Sequence, residues 1–98
     1  VSGIFSRGAF SNPTRFDRTT VRALTTVYTN TTGKVVYVIG YCTFTVAGTL
    51  VATLAGLVNT TDAAAIGAKS FHFIVKPNET MQITITGTGT LTKWFEFY

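Results

Sequence analysis

The sequence predicts an all-β fold, an antiparallel sandwich or barrel built from about six strands. Three observations lead there. From Val21 onward, apolar residues recur with a period of two in runs of seven to thirteen residues. Short turns rich in Gly, Asn and Pro separate these runs, and no amphipathic helical stretch lies between them. Threonine supplies 20 of 98 residues, whereas charged residues supply only 12%, about half the usual share. The branched β-carbon of threonine suits a pleated sheet, and its hydroxyl keeps an outward face wet without charge.

Residues 1–20, "VSGIFSRGAFSNPTRFDRTT", follow neither the helical nor the strand period. Phe5, Phe10 and Phe16 stand among glycine, serine and proline, which reads as an extended segment joining an upstream part or wrapping a neighbouring chain. Residues 21–98 then form the folded domain. A first strand is expected at 22–30, and "NTTG" turns the chain with Gly33 free to take a positive φ. The second strand, 34–46, places Val36, Val38, Cys42, Phe44 and Val46 on one face, with Val35, Tyr37, Ile39, Tyr41, Thr43 and Thr45 on the other. The third, 49–58, is apolar on both faces, the mark of a strand covered on both sides. "NTTDAAAIGA" (59–68) breaks the alternation and reads as a loop in which Asp62 caps one helical turn ended by Gly67. Strand four, 69–75, points Phe71, Phe73 and Val75 one way and His72 and Ile74 the other. A turn at Lys76-Pro77-Asn78-Glu79 leads to strand five, 80–86, with Met81, Ile83 and Ile85 inward. The last strand is "LTKWFEFY" (91–98), where Phe95 and Phe97 are expected inside and Trp94 and Tyr98 against a neighbour. So many strands apolar on both faces exceed what one short chain covers, which argues for assembly with copies of itself.

Chemistry-bearing residues are sparse. Cys42 is the single cysteine; it cannot form an intrachain disulfide and reads as a small buried hydrophobe. His72 is the single histidine. Ser70, His72 and Asp62 evoke a hydrolytic triad, but no nucleophile elbow accompanies them. One His, one Cys and four scattered acids do not make a metal site within one chain, although three copies of His72 can meet on an axis. Neither catalytic residues nor a cofactor is expected. The net charge of +4 is concentrated in Arg7, Arg15, Arg18 and Arg22 of the lead-in, not in a basic stripe interleaved with aromatics, so nucleic acid is not the expected partner. No run of 18 apolar residues is present to insert into a membrane. The N-x-T triplets at Asn30, Asn59 and Asn78 are read as turn chemistry rather than glycan acceptors. A chain that begins at Val1 is expected to be processed or to be the C-terminal piece of something longer.

Three stretches carry a resemblance: "VYTNTTGKVVYVIGY" (27–41), "FHFIVKPNETMQITITG" (71–87) and "LTKWFEFY" (91–98). In order and spacing they look like the C-terminal tip domain of bacteriophage tail fibres, with its Tyr-x-Asn-x-x-Gly-Lys turn and its closing Leu-x-x-Trp-x-Glu segment. The resemblance implies a homotrimeric antiparallel β-sandwich of about six to eight strands at the far end of a virion fibre. It also implies non-catalytic recognition of a bacterial surface glycan or outer-membrane receptor. Short polar side chains and carboxylates suit sugar hydroxyls, so the expected contact residues are Asn59, Thr60, Thr61 and Asp62, the turn residues Asn78 and Glu79, and Tyr41 or Trp94 as a stacking face. The expected trimer interface comprises Phe5, Phe10, Phe16, Trp94 and Tyr98. The rival expectation is a purely structural virion protein: a baseplate component, fibre cap or capsid decoration.

Overall fold

In a computed structural model, residues 13–98 are described. They form eight strands: β1 (Arg15–Asp17), β2 (Tyr28–Thr29), β3 (Val36–Val46), β4 (Gly48–Leu54), β5 (Leu57–Ala64), β6 (Gly67–Val75), β7 (Thr80–Ile85) and β8 (Thr88–Phe97). One four-stranded sheet has the order β1-β8-β3-β6 and the other β2-β7-β4-β5. Every neighbouring pair is antiparallel. Buried side chains of both sheets join in a single apolar cluster, an arrangement consistent with a β-sandwich.

The period of two sets the faces of three strands as expected. Val36, Val38, Cys42 and Phe44 of β3, Phe71, Phe73 and Val75 of β6, and Met81 and Ile83 of β7 are all buried. Val46, expected with them, is exposed. The reason is a bulge at the end of β3, where two steps along that strand, Phe44 to Val46, oppose one step of β8, Gly89 to Thr88.

At the centre of the first sheet, Gly40 lies opposite Phe71 on one side and Trp94 on the other. Because Gly40 has no side chain, the two rings meet across it with centroids 5.4 Å apart, edge to face. Strands two apart in a sheet are otherwise separated by roughly 9.6 Å, twice the strand spacing. A Cβ at residue 40 would collide with the Lys93 carbonyl oxygen and lie 2.6 Å from the Phe71 ring. Gly40→Ala is therefore expected to destabilise the fold by about 1–3 kcal/mol, as overpacking does. A urea midpoint equal to that of the unmodified chain would refute this.

The last strand runs in the opposite phase to the expected one. Trp94 and Glu96 face inward and are buried, and Phe95 and Phe97 lie on the outer surface. The cause is a second bulge: Tyr41 pairs with Lys93 but Cys42 pairs with Leu91, which leaves Thr92 as an extra residue. Counting by two from Leu91 puts Phe95 and Phe97 inside; one inserted residue sends them out. Trp94, expected at an interface, is thus a core residue of its own chain.

Residues 59–64 belong to β5, not to a loop with a helical turn. β5 pairs with β4 from Leu57 to Ala64, with Asn59 as its bulged residue. The first expected strand shrinks to Tyr28–Thr29. Before it, the chain crosses from one sheet to the other. The Arg18 amide donates to the Trp94 carbonyl at 2.8 Å, and the Thr25 amide donates to the Ile83 carbonyl at 2.8 Å. Within the lead-in, Arg15–Asp17 pair with β8 of their own chain, so the folded unit includes residues placed ahead of it by sequence. Phe5 and Phe10 lie outside the described residues.

Candidate functional site

The two sides of the fold are closed differently. On the side of β1 and β2, the crossing segment seals the gap between the sheets with a charged network centred on Glu96, which is 3% exposed. Arg22 donates to both carboxylate oxygens, Nε at 2.8 Å and Nη2 at 3.1 Å, and the Trp94 indole Nε1 donates to Oε2 at 2.8 Å. The Arg18 Nε stands 3.8 Å from Oε1, and Arg18 Nη2 donates to the Tyr98 hydroxyl at 2.9 Å. Arg22 lies over the Tyr28 ring at 4.5 Å and Arg18 over the Phe16 ring at 4.9 Å. These arginines are engaged in holding the N-terminal segment to the last strand.

On the other side, edge strands β5 and β6 stand apart and leave a cleft of about 230 Å³. Thr60 and Asp62 of β5 face Lys69, Ser70, Phe71 and His72 of β6 across it. The turn that joins the two strands, ended by Gly67 at φ 115°, brings these residues together. Thr60, Asp62, Ser70 and His72 are exposed, Lys69 is half-buried, and Phe71 is buried. None of the five polar side chains is engaged in a hydrogen bond or ion pair among the described residues. Threonines elsewhere do pair: Thr43 with Thr92 at 2.6 Å and Thr49 with Thr86 at 2.8 Å. The cleft therefore offers hydroxyls, a carboxylate, an ammonium and an imidazole to one small volume.

This cleft brings together Ser70, His72 and Asp62, but no hydrogen bond orders them into a nucleophile and its base. Among the described residues, no cluster of three His, Cys, Asp or Glu residues is placed to hold a metal ion. Cys42 is fully buried on β3, and burial pushes its thiol up to about 11. Such a thiol stays protonated near neutral pH, and nothing activates it as a nucleophile. No helix among the described residues is long and apolar enough to cross a membrane.

The other expected contact residues are scattered. Asn59 and Thr61 are exposed on β5 beside Thr60 and Asp62. Tyr41 is half-buried on the outer face of β3, opposite Ser70. Asn78 and Glu79 sit beyond the far end of β6, away from the cleft, and their contacts shape the turn. Asn78 takes φ 65° and its amide donates to the Asn30 carbonyl at 2.8 Å, while Glu79 Oε1 accepts the Lys76 amide at 3.1 Å. Asn30 is buried. Its Nδ2 donates to the carbonyls of Lys34, Val75 and Lys76, and its Oδ1 accepts from Thr32, so its amide is used within the fold. Lys69, Phe71 and, as binding groups, Ser70 and His72 were missed by sequence reading. Period two puts Lys69 and Phe71 on one face and Ser70 and His72 on the other, and only the end of a sheet edge lets both parities border one cleft.

Of the expected interface residues, Phe16 and Tyr98 stack on each other within the chain at 4.4 Å. An apolar surface does exist, but elsewhere. On the outer face of the β1-β8-β3-β6 sheet, Tyr37 and Ile39 of β3 adjoin Phe97 and Phe95 of β8 and Ile74 of β6. Pro13, Tyr37, Ile74 and Phe97 line a shallow depression of about 410 Å³ there. Ile74 is 48% exposed and Ile39 37%.

The motifs that carry the tail-fibre resemblance converge in space. Tyr28 packs on Trp94 with centroids 6.1 Å apart, Gly33 takes φ 77° in the turn organised by Asn30, and Trp94 donates to Glu96. These contacts lie within the chain. No family model matches the chain, and no curated protein matches it.

Proposed function

We propose that this chain is a non-catalytic recognition domain: a β-sandwich that assembles as a homotrimer at the tip of a phage tail fibre and binds a bacterial surface glycan or outer-membrane receptor. The observation that carries the reading is the β5 edge, where Asn59, Thr60, Thr61 and Asp62 are all exposed beside a polar cleft. Short hydroxyl, amide and carboxylate groups on a rigid strand suit a polyhydroxylated partner, and three copies let weak sites add up. The resemblance of the three sequence stretches supports the placement on a virion.

The assembly part of the proposal rests on the outer face bearing Tyr37, Ile39, Ile74, Phe95 and Phe97, which a second copy covers. A low share of charge over the whole chain fits burial of that face. Light scattering is expected to give three times the mass of the 10.6 kDa chain. Ile74→Lys buries an unpaired ammonium at each contact and is expected to weaken assembly by about thirtyfold or more, with the thermal midpoint of the dissociated chain preserved. A single-chain mass for the unmodified protein in dilute buffer overturns the trimer.

The same apolar face favours the structural alternative, a baseplate component, fibre cap or capsid decoration whose contacts are all with virion proteins. Capture of intact bacteria by the purified chain supports recognition. Capture of assembled particles, with no bacteria retained, supports the structural reading.

A further inference from the structure

We infer that the cleft between β5 and β6 is a binding site for one neutral sugar unit, a hexose or N-acetylhexosamine carried by a larger surface polysaccharide. This rests on the recognition reading above and adds the location of the site and the class of its ligand.

Size comes first. At about 230 Å³ the cleft is smaller than the roughly 300–1,000 Å³ of sites for drug-sized molecules, which limits it to a single ring. It opens at the edge of both sheets, so the rest of a polymer can run on into solvent along β5. Chemistry comes next. Asp62 supplies carboxylate acceptors, Lys69 supplies ammonium donors, and Thr60, Ser70 and His72 both donate and accept. A ring of vicinal hydroxyls needs this mixture, since each hydroxyl donates once and accepts twice. Charge then narrows the class. Asp62 and Lys69 carry opposite formal charges that cancel within the lining. A uronate or a phosphate would meet Asp62 as well as Lys69, so the lining gives an anion no net advantage over a neutral ring. Finally, the polar lining is unspent: among the described residues, no hydrogen bond must break before a ligand is held.

The test uses the full 98-residue chain with methyl glycosides of neutral hexoses and N-acetylhexosamines, and with glucuronate and galacturonate as charged controls. Saturation-transfer NMR reports contact and calorimetry reports affinity. At least one neutral glycoside is expected to bind, at about millimolar strength, and the uronates to bind more weakly. Thr60→Val keeps a β-branched strand residue and removes one hydroxyl; Asp62→Ala removes the carboxylate from an exposed strand position. Each is expected to weaken binding roughly tenfold while circular dichroism and melting stay unchanged. Absence of transfer to any neutral glycoside at about 10 mM, preference for the uronates, or full binding by both variants overturns the inference. Pull-down of intact bacteria separates the two claims. If both variants hold cells as well as the parent does, the cleft is wrong and recognition stands. If glycosides bind but no cells are held, the cleft stands and the recognition reading falls.

Discussion

Trp94→Ala is expected to lower the free energy of unfolding by about 3–5 kcal/mol, the cost of deleting a large buried aromatic. Trp94 is fully buried and meets the rings of Phe71, Tyr28 and Phe73 at 5.4, 6.1 and 6.5 Å. Its neighbours belong to strands of both sheets, so their backbones cannot close on the void together. The indole is also the partner that Gly40 makes room for, and a glycine beside an empty site gives no side chain to refill it. Urea denaturation followed by far-ultraviolet circular dichroism measures the loss; fluorescence is unsuitable, because Trp94 is the only tryptophan. The loss should appear as unfolding within the chain. A variant that keeps its urea midpoint but changes its oligomeric mass would return Trp94 to the interface and overturn its place in the core.

The second large effect lies two residues on. Glu96→Ala is expected to cost about 3 kcal/mol, toward the lower end for breaking a buried ion pair. The carboxylate is the acceptor for both Arg22 donors and for the Trp94 indole N–H. Removing it leaves a guanidinium partly out of water and a buried indole N–H with no acceptor. The Arg22 side chain is 20% exposed and can turn toward solvent, which keeps the figure from rising further. Glu96→Gln retains an oxygen for the indole but loses the charge and one of the two acceptor oxygens, so it should still cost less than the alanine change. The order Ala worse than Gln is the check; equal midpoints for the two would mean that the oxygen retained by Gln contributes nothing and that the loss lies in the charge. Because Trp94 and Glu96 share a hydrogen bond, the double variant should lose less than the sum of the two single losses.

These residues also show where sequence reading loses its grip. In β8, three of the four residues from Trp94 to Phe97 are aromatic, so hydrophobicity cannot say which parity is inside. The charged one, Glu96, sits on the buried parity, because Arg22 lies 74 residues away in sequence and only folding brings it within 2.8 Å. The bulge at Thr92 has no local signature, being the consequence of how β3 and β8 pair. β5 was unreadable for a related reason. An edge strand that overhangs the core has no inward apolar positions until Ala64, so its residues follow no alternation. The cleft inherits both difficulties. Thr60 and Asp62 were legible as polar residues suited to a ligand, but Lys69, Ser70 and His72 join them only through the separation of two sheet edges.

The chain's own sequence determined the class of structure and the inward faces of β3, β6 and β7. There the alternation holds from Val36 to Phe44, from Phe71 to Val75 and from Met81 to Ile83, and burial of one face repays a single register only. It also determined the turn at Gly33, since that backbone conformation strongly favours residues without a Cβ. The tertiary structure alone decided the phase of the last strand, the pairing of Arg15–Asp17 with it, the burial of Glu96 and the open cleft beside β5. Each depends on a partner distant in the chain: a bulge, an ion pair or an edge exists only once two strands lie side by side. The aromatic end of the sequence divides along this line. Trp94 is held by its own core, and Phe95 and Phe97 face outward on the surface proposed for assembly.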